Sequence, residues 1–159
     1  MGLAVSFGQG LQMTNILKDF WDDRERGDCW LPRDVFQEAG FDLTHVSSGK
    51  YVDSFGDGLA ELIGIACFHL KNALTYTLIV PRHQTGIRKF CLWAVGMAIF
   101  TLKNLNKKRN YRSGKDVKIS RRTVKTIIFL TNASIRSNSL LRMLFALTTK
   151  SLPAPGVSL

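Results

Sequence analysis

The sequence predicts an all-α fold. Apolar side chains recur at helical spacing over long segments, no segment alternates apolar and polar side chains as a half-buried strand does, and Gly27, Gly40 and Pro81 stand where the helical patterns stop. A chain of 159 residues, 45% hydrophobic and 21% charged, is long enough for one domain with a real core and has an ordinary globular composition.

The elements follow in order. Residues 3–23 carry Leu11, Ile16, Leu17, Phe20 and Trp21 at helical spacing without a proline, and Gly27 closes the segment. Pro32 suits the first turn of a short helix through Gln37 or Glu38, with Gly40 just past its end. Residues 43–53, with Ser47, Ser48 and Gly49, read as a polar connection. A long apolar helix over 59–80 ends before Pro81, and a second helix covers 86–104. Residues 106–116 are basic and polar and read as a loop. Ser120 is placed to cap a helix running to about Asn132, and residues 138–149 extend or follow it. The stretch 151–159, with Pro153 and Pro155, reads as a frayed, flexible tail.

Three widely spaced cysteines, Cys29, Cys67 and Cys91, argue against a disulfide framework or a zinc site. They read as small buried hydrophobes in a reducing compartment. His45, His69 and His83 are dispersed and receive no role. No charge-free run reaches the 18 residues of a membrane span, and the first ten residues lack a basic n-region, so the expectation is a cytoplasmic chain without signal peptide or transmembrane segment.

The net charge of +10 is sharply partitioned. Residues 1–61 hold 11 of the 12 acids and 5 of the 22 bases, whereas residues 62–159 hold 17 bases and the single acid Asp116. Such a partition suits two surfaces with different partners, the acidic one for divalent cations and the basic one for phosphates or anionic membrane; a merely solvated helical surface is the plainer alternative. Residues 103–125 carry ten bases against one acid, yet only Tyr111 interrupts them as an aromatic, and no nucleic-acid motif is present. Nucleic acid is therefore not expected as a partner, while peripheral membrane contact is.

The chemistry concentrates near the start. Asn15, Asp19 and Asp23 recur every four residues and Gln12 precedes them by one turn, so on a helix they share one face with about 40° of drift per step. One amide and two carboxylates are hard oxygen donors suited to magnesium, which takes one or two carboxylates together with waters and substrate phosphates. A solvated acidic helix end is the alternative, but acids there oppose the helix dipole and cost stability.

The stretch from Gly10 through Asp23, containing Gln12, Asn15, Lys18 and Asp19, resembles the second aspartate-rich motif of the squalene/phytoene synthases. The following Arg26-Gly27 step and Trp30-Leu31-Pro32 resemble that family's continuation. Phe90-Cys91, Met97-Ala98-Ile99, Thr101-Leu102 and Val117-Lys118-Ile119 resemble further squalene synthase segments in the same order, over residues 8–125.

The resemblance implies the C-terminal portion of an isoprenoid synthase helical fold, a partial domain over residues 1–150. It also implies magnesium-dependent head-to-head condensation of two prenyl diphosphates, through a cyclopropyl intermediate, to squalene or a related C30 product. Asn15, Asp19 and Asp23 would bind magnesium and a substrate diphosphate, with Gln12 and Lys18 as diphosphate contacts; Lys18 replaces the family's common arginine and loses its bidentate fork. Phe90 matches an aromatic beside the carbocation, with core packing as the equal alternative. Lys118, with Arg121 and Arg122, matches a basic segment near diphosphate or nicotinamide. The squalene-type arginine two places after that lysine is Ser120, which leaves reduction by NADPH open. The apolar helices suit a prenyl channel or a plain core.

The family's first aspartate-rich motif is not found before Gly10, so the chain is expected to be an incomplete half with little synthase activity alone. Its uncovered apolar face would call for an N-terminal half or a second copy. The rival reading is a non-catalytic or degenerate fragment serving as a basic membrane-binding or partner-binding module.

Overall fold

Glycine with positive φ ends the first two helices. In the computed structural model, which describes residues 2–45 and 52–156, helix α1 spans Leu3–Glu25 and α2 spans Arg33–Glu38. Gly27 and Gly40 follow them at φ of 91° and 76°. Gly27 N–H donates to the Arg24 carbonyl and Asp28 N–H to that of Asp23; Gly40 and Phe41 repeat the pattern on Gln37 and Phe36. Both ends are thus paired turns that only glycine enters without steric cost. The ring contact of Phe41 with Phe36, at 6.4 Å between centroids, supplies the apolar contact that accompanies such an end.

A 3-10 turn follows at Leu43–His45, then α3 at Asp53–Ile79, α4 at Thr85–Lys107, α5 at Gly114–Val117, α6 at Arg121–Ser134 and α7 at Asn138–Thr149. Among the described residues there is no strand, so the all-α expectation holds. Ser120 caps α6 by accepting from Thr123 N–H, as its position predicts, and Ser137 caps α7 separately.

Helix α3 is the centre of the fold and packs on α1, α4 and α2. Leu59, Ile63, Ala66 and Leu70 are fully buried along it, and Leu17 and Phe20 meet it from α1. By length and composition α3 and α4 are apolar enough to cross a membrane, although charges interrupt both sequences; over half of the apolar window of α3 is used in packing.

Two boundaries differ from the sequence expectation. Helix α3 starts at Asp53 rather than 59, because Phe55 joins an aromatic cluster with Phe20, Phe36, Phe41 and Trp21 at centroid distances of 5.6, 5.3, 5.4 and 5.9 Å. The basic stretch 106–116 is not all loop: α4 runs on to Lys107, and Gly114 opens the single turn of α5 under a Ser113 cap. Of the polar connection, residues 46–51 lie outside the described residues, as do 157–159 of the tail. Residues 151–156 lie against α3, where Gly156 N–H donates to the Glu61 carboxylate. Cys91 is buried and Cys67 half-buried, but Cys29 is exposed and departs from the buried-hydrophobe expectation.

A buried polar cluster joins α1 to α3. Ser6 Oγ lies 2.8 Å from His69 Nδ1 and accepts from the Asn72 amide at 3.0 Å. Burial disfavours the imidazolium and lowers the His69 pKa from 6.5. Below pH 6.5 the unfolded chain therefore binds the proton more readily than the folded one. Stability is expected to be complete above pH 6.5 and to decline as pH falls below it. Urea midpoints measured across that range should show the decline, and His69→Asn should flatten it.

Candidate functional site

The acid column predicted from the sequence lies along one wall of an open cleft of about 460 Å³. Gln12, Asn15, Asp19 and Asp23 all line it, about three turns of α1 presenting oxygen donors in one direction. Ile16 lines the same cleft, and Trp30, 64% exposed, stands on it from the connection to α2.

The cleft also holds two residues that sequence reasoning passed over. Asp22 lines it and accepts from Gly114 N–H at 3.3 Å; Arg26 lines it and pairs with the Asp23 carboxylate one turn back. The Lys18 ammonium lies 3.1 Å from Asp19. Each carboxylate of the column therefore has one monovalent cation beside it, which a divalent ion could displace.

Helix α5 and the loop before it hold the acid face from the side. Tyr111 is fully buried, its hydroxyl donates to the Leu17 carbonyl, and burial together with the charges of Asp19 and Asp22 pushes its pKa up. Asp116, the lone acid of the basic half, closes this loop by accepting from Arg112 N–H at 2.9 Å and pairing with Lys108 at 3.2 Å. Those partners hold its carboxyl below the usual carboxylate value. Tyr111, Gly114 and Asp116 lie in the stretch read as a plain loop, so only the unexplained lone acid could have marked them.

Gly114 lies directly against the acid face. A methyl group there would stand 3.0 Å from Asp19 Oδ1, 3.1 Å from Asp22 Oδ2 and 3.2 Å from the Lys18 carbonyl oxygen. Gly114→Ala is expected to push α5 off α1 and cost about 1–2 kcal/mol, read from urea unfolding.

The remaining sequence candidates are not brought to this cleft. Phe90 sits near the start of α4, 70% exposed, so core packing is not its role within this chain. Lys118 is exposed between α5 and α6, its carbonyl accepting from Asn104 at 3.4 Å, and Arg121 is exposed at the start of α6. Neither lines the cleft.

The donor set is all oxygen and arranged as a column rather than a cage. Among the described residues no three His, Cys, Asp or Glu side chains converge to hold a metal ion by themselves. Two carboxylates and an amide on one wall nevertheless fit magnesium, which commonly completes its shell with substrate phosphate and water.

Comparison with known proteins finds a match to the squalene/phytoene synthase family model over residues 1–123. The chain is 40% identical to a chloroplastic phytoene synthase of Narcissus pseudonarcissus over 102 residues, 64% of this chain and 22% of that protein. It is 33% identical to human squalene synthase over 99 residues, 62% of this chain and 23% of that protein. Over 41 residues, 26% of this chain and 14% of the relative, it is 49% identical to a presqualene diphosphate synthase of Zymomonas mobilis. The chain thus spans less than a quarter of the length of these relatives. No solved structure matches it.

Proposed function

The chain belongs to the squalene/phytoene synthase family, and from that premise we propose that it carries the metal- and diphosphate-binding wall of a prenyltransferase joining two prenyl diphosphates head to head. The observation behind the reading is the alignment of Gln12, Asn15, Asp19 and Asp23 along one wall of the cleft.

Asn15, Asp19 and Asp23 would hold magnesium, which when bound would neutralise a leaving diphosphate and so favour ionisation of its allylic C–O bond. Gln12 and Lys18 would hydrogen-bond the diphosphate oxygens. Arg26, released from Asp23, offers a planar fork that grips phosphate on two oxygens. Trp30 gives the cleft an exposed aromatic surface against which the first isoprene units would lie. With the squalene synthase resemblance, the substrate in this reading is farnesyl diphosphate, giving a C30 product through a cyclopropylcarbinyl diphosphate. The opposite wall of the cavity, with a second acid motif, is assigned to the part of a family synthase that this chain does not match.

The test is co-expression of this chain with that complementary part of a family synthase, supplied with farnesyl diphosphate and magnesium. A C30 product detected by mass, and lost in Asp19→Ala and Asp23→Ala, is the expected result. A folded complex that releases no diphosphate and forms no product would contradict the reading.

A further inference from the structure

The hairpin of α6 and α7 carries a surface that neither the core nor the acidic cleft uses. Residues 117–159 contain seven Lys or Arg and no Asp or Glu, and the family match ends at residue 123, just after α6 begins. Ile127, Thr131, Ser134 and Leu141 are the buried residues of the two helices and satisfy their packing against the rest of the fold.

The outer faces nevertheless carry large apolar side chains among the bases. Phe129 on α6 is 70% exposed, and Arg122 and Lys125 stand seven and four residues before it, on the same side of the helix and also exposed. On α7, Met143 and Leu147 lie one turn apart, 51% and 62% exposed, with exposed Arg142 and Lys150 beside them. Large apolar side chains set among bases, with no acid to repel an anion, have the composition of a helix lying in a membrane interface. A phosphate backbone would use the bases but gain nothing from the apolar tips, and an acidic protein surface would leave them wet.

We propose that the outer face of the α6–α7 hairpin docks on an anionic lipid bilayer, with Phe129, Met143 and Leu147 entering the headgroup–acyl boundary and Arg122, Lys125 and Arg142 meeting lipid phosphates. The docking requires neither magnesium nor the acidic cleft, so it stands or falls separately from the proposed catalysis.

The experiment is co-sedimentation of the full chain, in chelator, with vesicles of phosphatidylcholine alone or with one third phosphatidylserine. Binding to the phosphatidylserine vesicles and not to the neutral ones is expected. Phe129→Ser should weaken it about tenfold, and Leu147→Ser should weaken it as well. Arg122→Gln and Lys125→Gln should each weaken it about fivefold. All four positions are exposed, and unchanged circular dichroism would confirm that the variants fold. Equal binding to neutral vesicles, no binding to either, or salt-sensitive binding that Phe129→Ser and Leu147→Ser leave unchanged, would overturn the proposal; the last would mark simple adhesion to any polyanion.

Discussion

Replacing Arg88 with alanine is expected to destabilise the fold by about 3–5 kcal/mol. The guanidinium is fully buried and has no carboxylate among its hydrogen-bond partners. Nε donates to the Ile135 carbonyl at 3.1 Å, Nη1 to those of Val80 at 2.7 Å and Thr77 at 3.4 Å, and Nη2 to Asn138 Oδ1 at 2.7 Å. Thr77 and Val80 close α3 and Ile135 closes α6, so the charge rests on the negative ends of two helix dipoles. Burial, and then the charge of Arg82, lower its pKa from 12.5, and an arginine in such surroundings stays protonated at neutral pH. Alanine would leave these carbonyls unpaired beside a cavity, whereas Arg88→Met would fill the volume and lose only the hydrogen bonds. Urea unfolding should rank the parent above Arg88→Met and Arg88→Ala lowest. An alanine variant within about 1 kcal/mol of the parent would contradict this account of the helix ends.

The second large effect concerns the cleft. Asp19→Ala and Asp23→Ala are each expected to weaken magnesium-dependent binding of a prenyl diphosphate by about a hundredfold, because each removes a charged oxygen donor from a short donor set. Asp34→Ala, which removes an exposed acid of α2, is the matched control and should leave binding within about twofold. Titration calorimetry with farnesyl diphosphate, with and without magnesium, reads both. Arg26→Gln has a divided expectation in the same assay: it frees Asp23 for the metal but removes a phosphate contact, so its loss should be smaller than that of either aspartate variant.

Helix ends set by local chemistry are legible in the sequence. Gly27, Gly40, Pro81 and Ser120 stand at or beside real boundaries because a positive φ, a missing N–H or a side-chain cap acts within a few residues. The start of α3 is not legible, since Asp53 to Gly58 reads as a weak helix former. It is helical because Gly58 lets Phe36 pack against its backbone, where a methyl would stand 2.6 Å from the ring, and because Phe55 completes the aromatic cluster. Tertiary contact decides there.

The site divides in the same way. Gln12, Asn15, Asp19 and Asp23 share a face by helical period alone, and α1 needs no partner to align them. Asp22, three residues after Asp19 and seven after Asn15, shares that face by the same period, but its contact with Gly114, a residue 92 positions away, is set by the fold. Trp30 reaches it only after the turn at Gly27. Phe90, Lys118 and Arg121 came from the family resemblance rather than from a period, and the chain itself does not gather them at the cleft.

The acid face of α1 is expected to bind a divalent ion together with a diphosphate, and paramagnetic broadening locates such binding directly. With manganese in place of magnesium and farnesyl diphosphate added, amide resonances of residues 12–26 and of Gly114 should broaden first, while those of α6 and α7 stay sharp. The broadening should disappear in Asp19→Asn/Asp23→Asn. Broadening centred elsewhere, or unchanged in that double variant, would contradict that expectation.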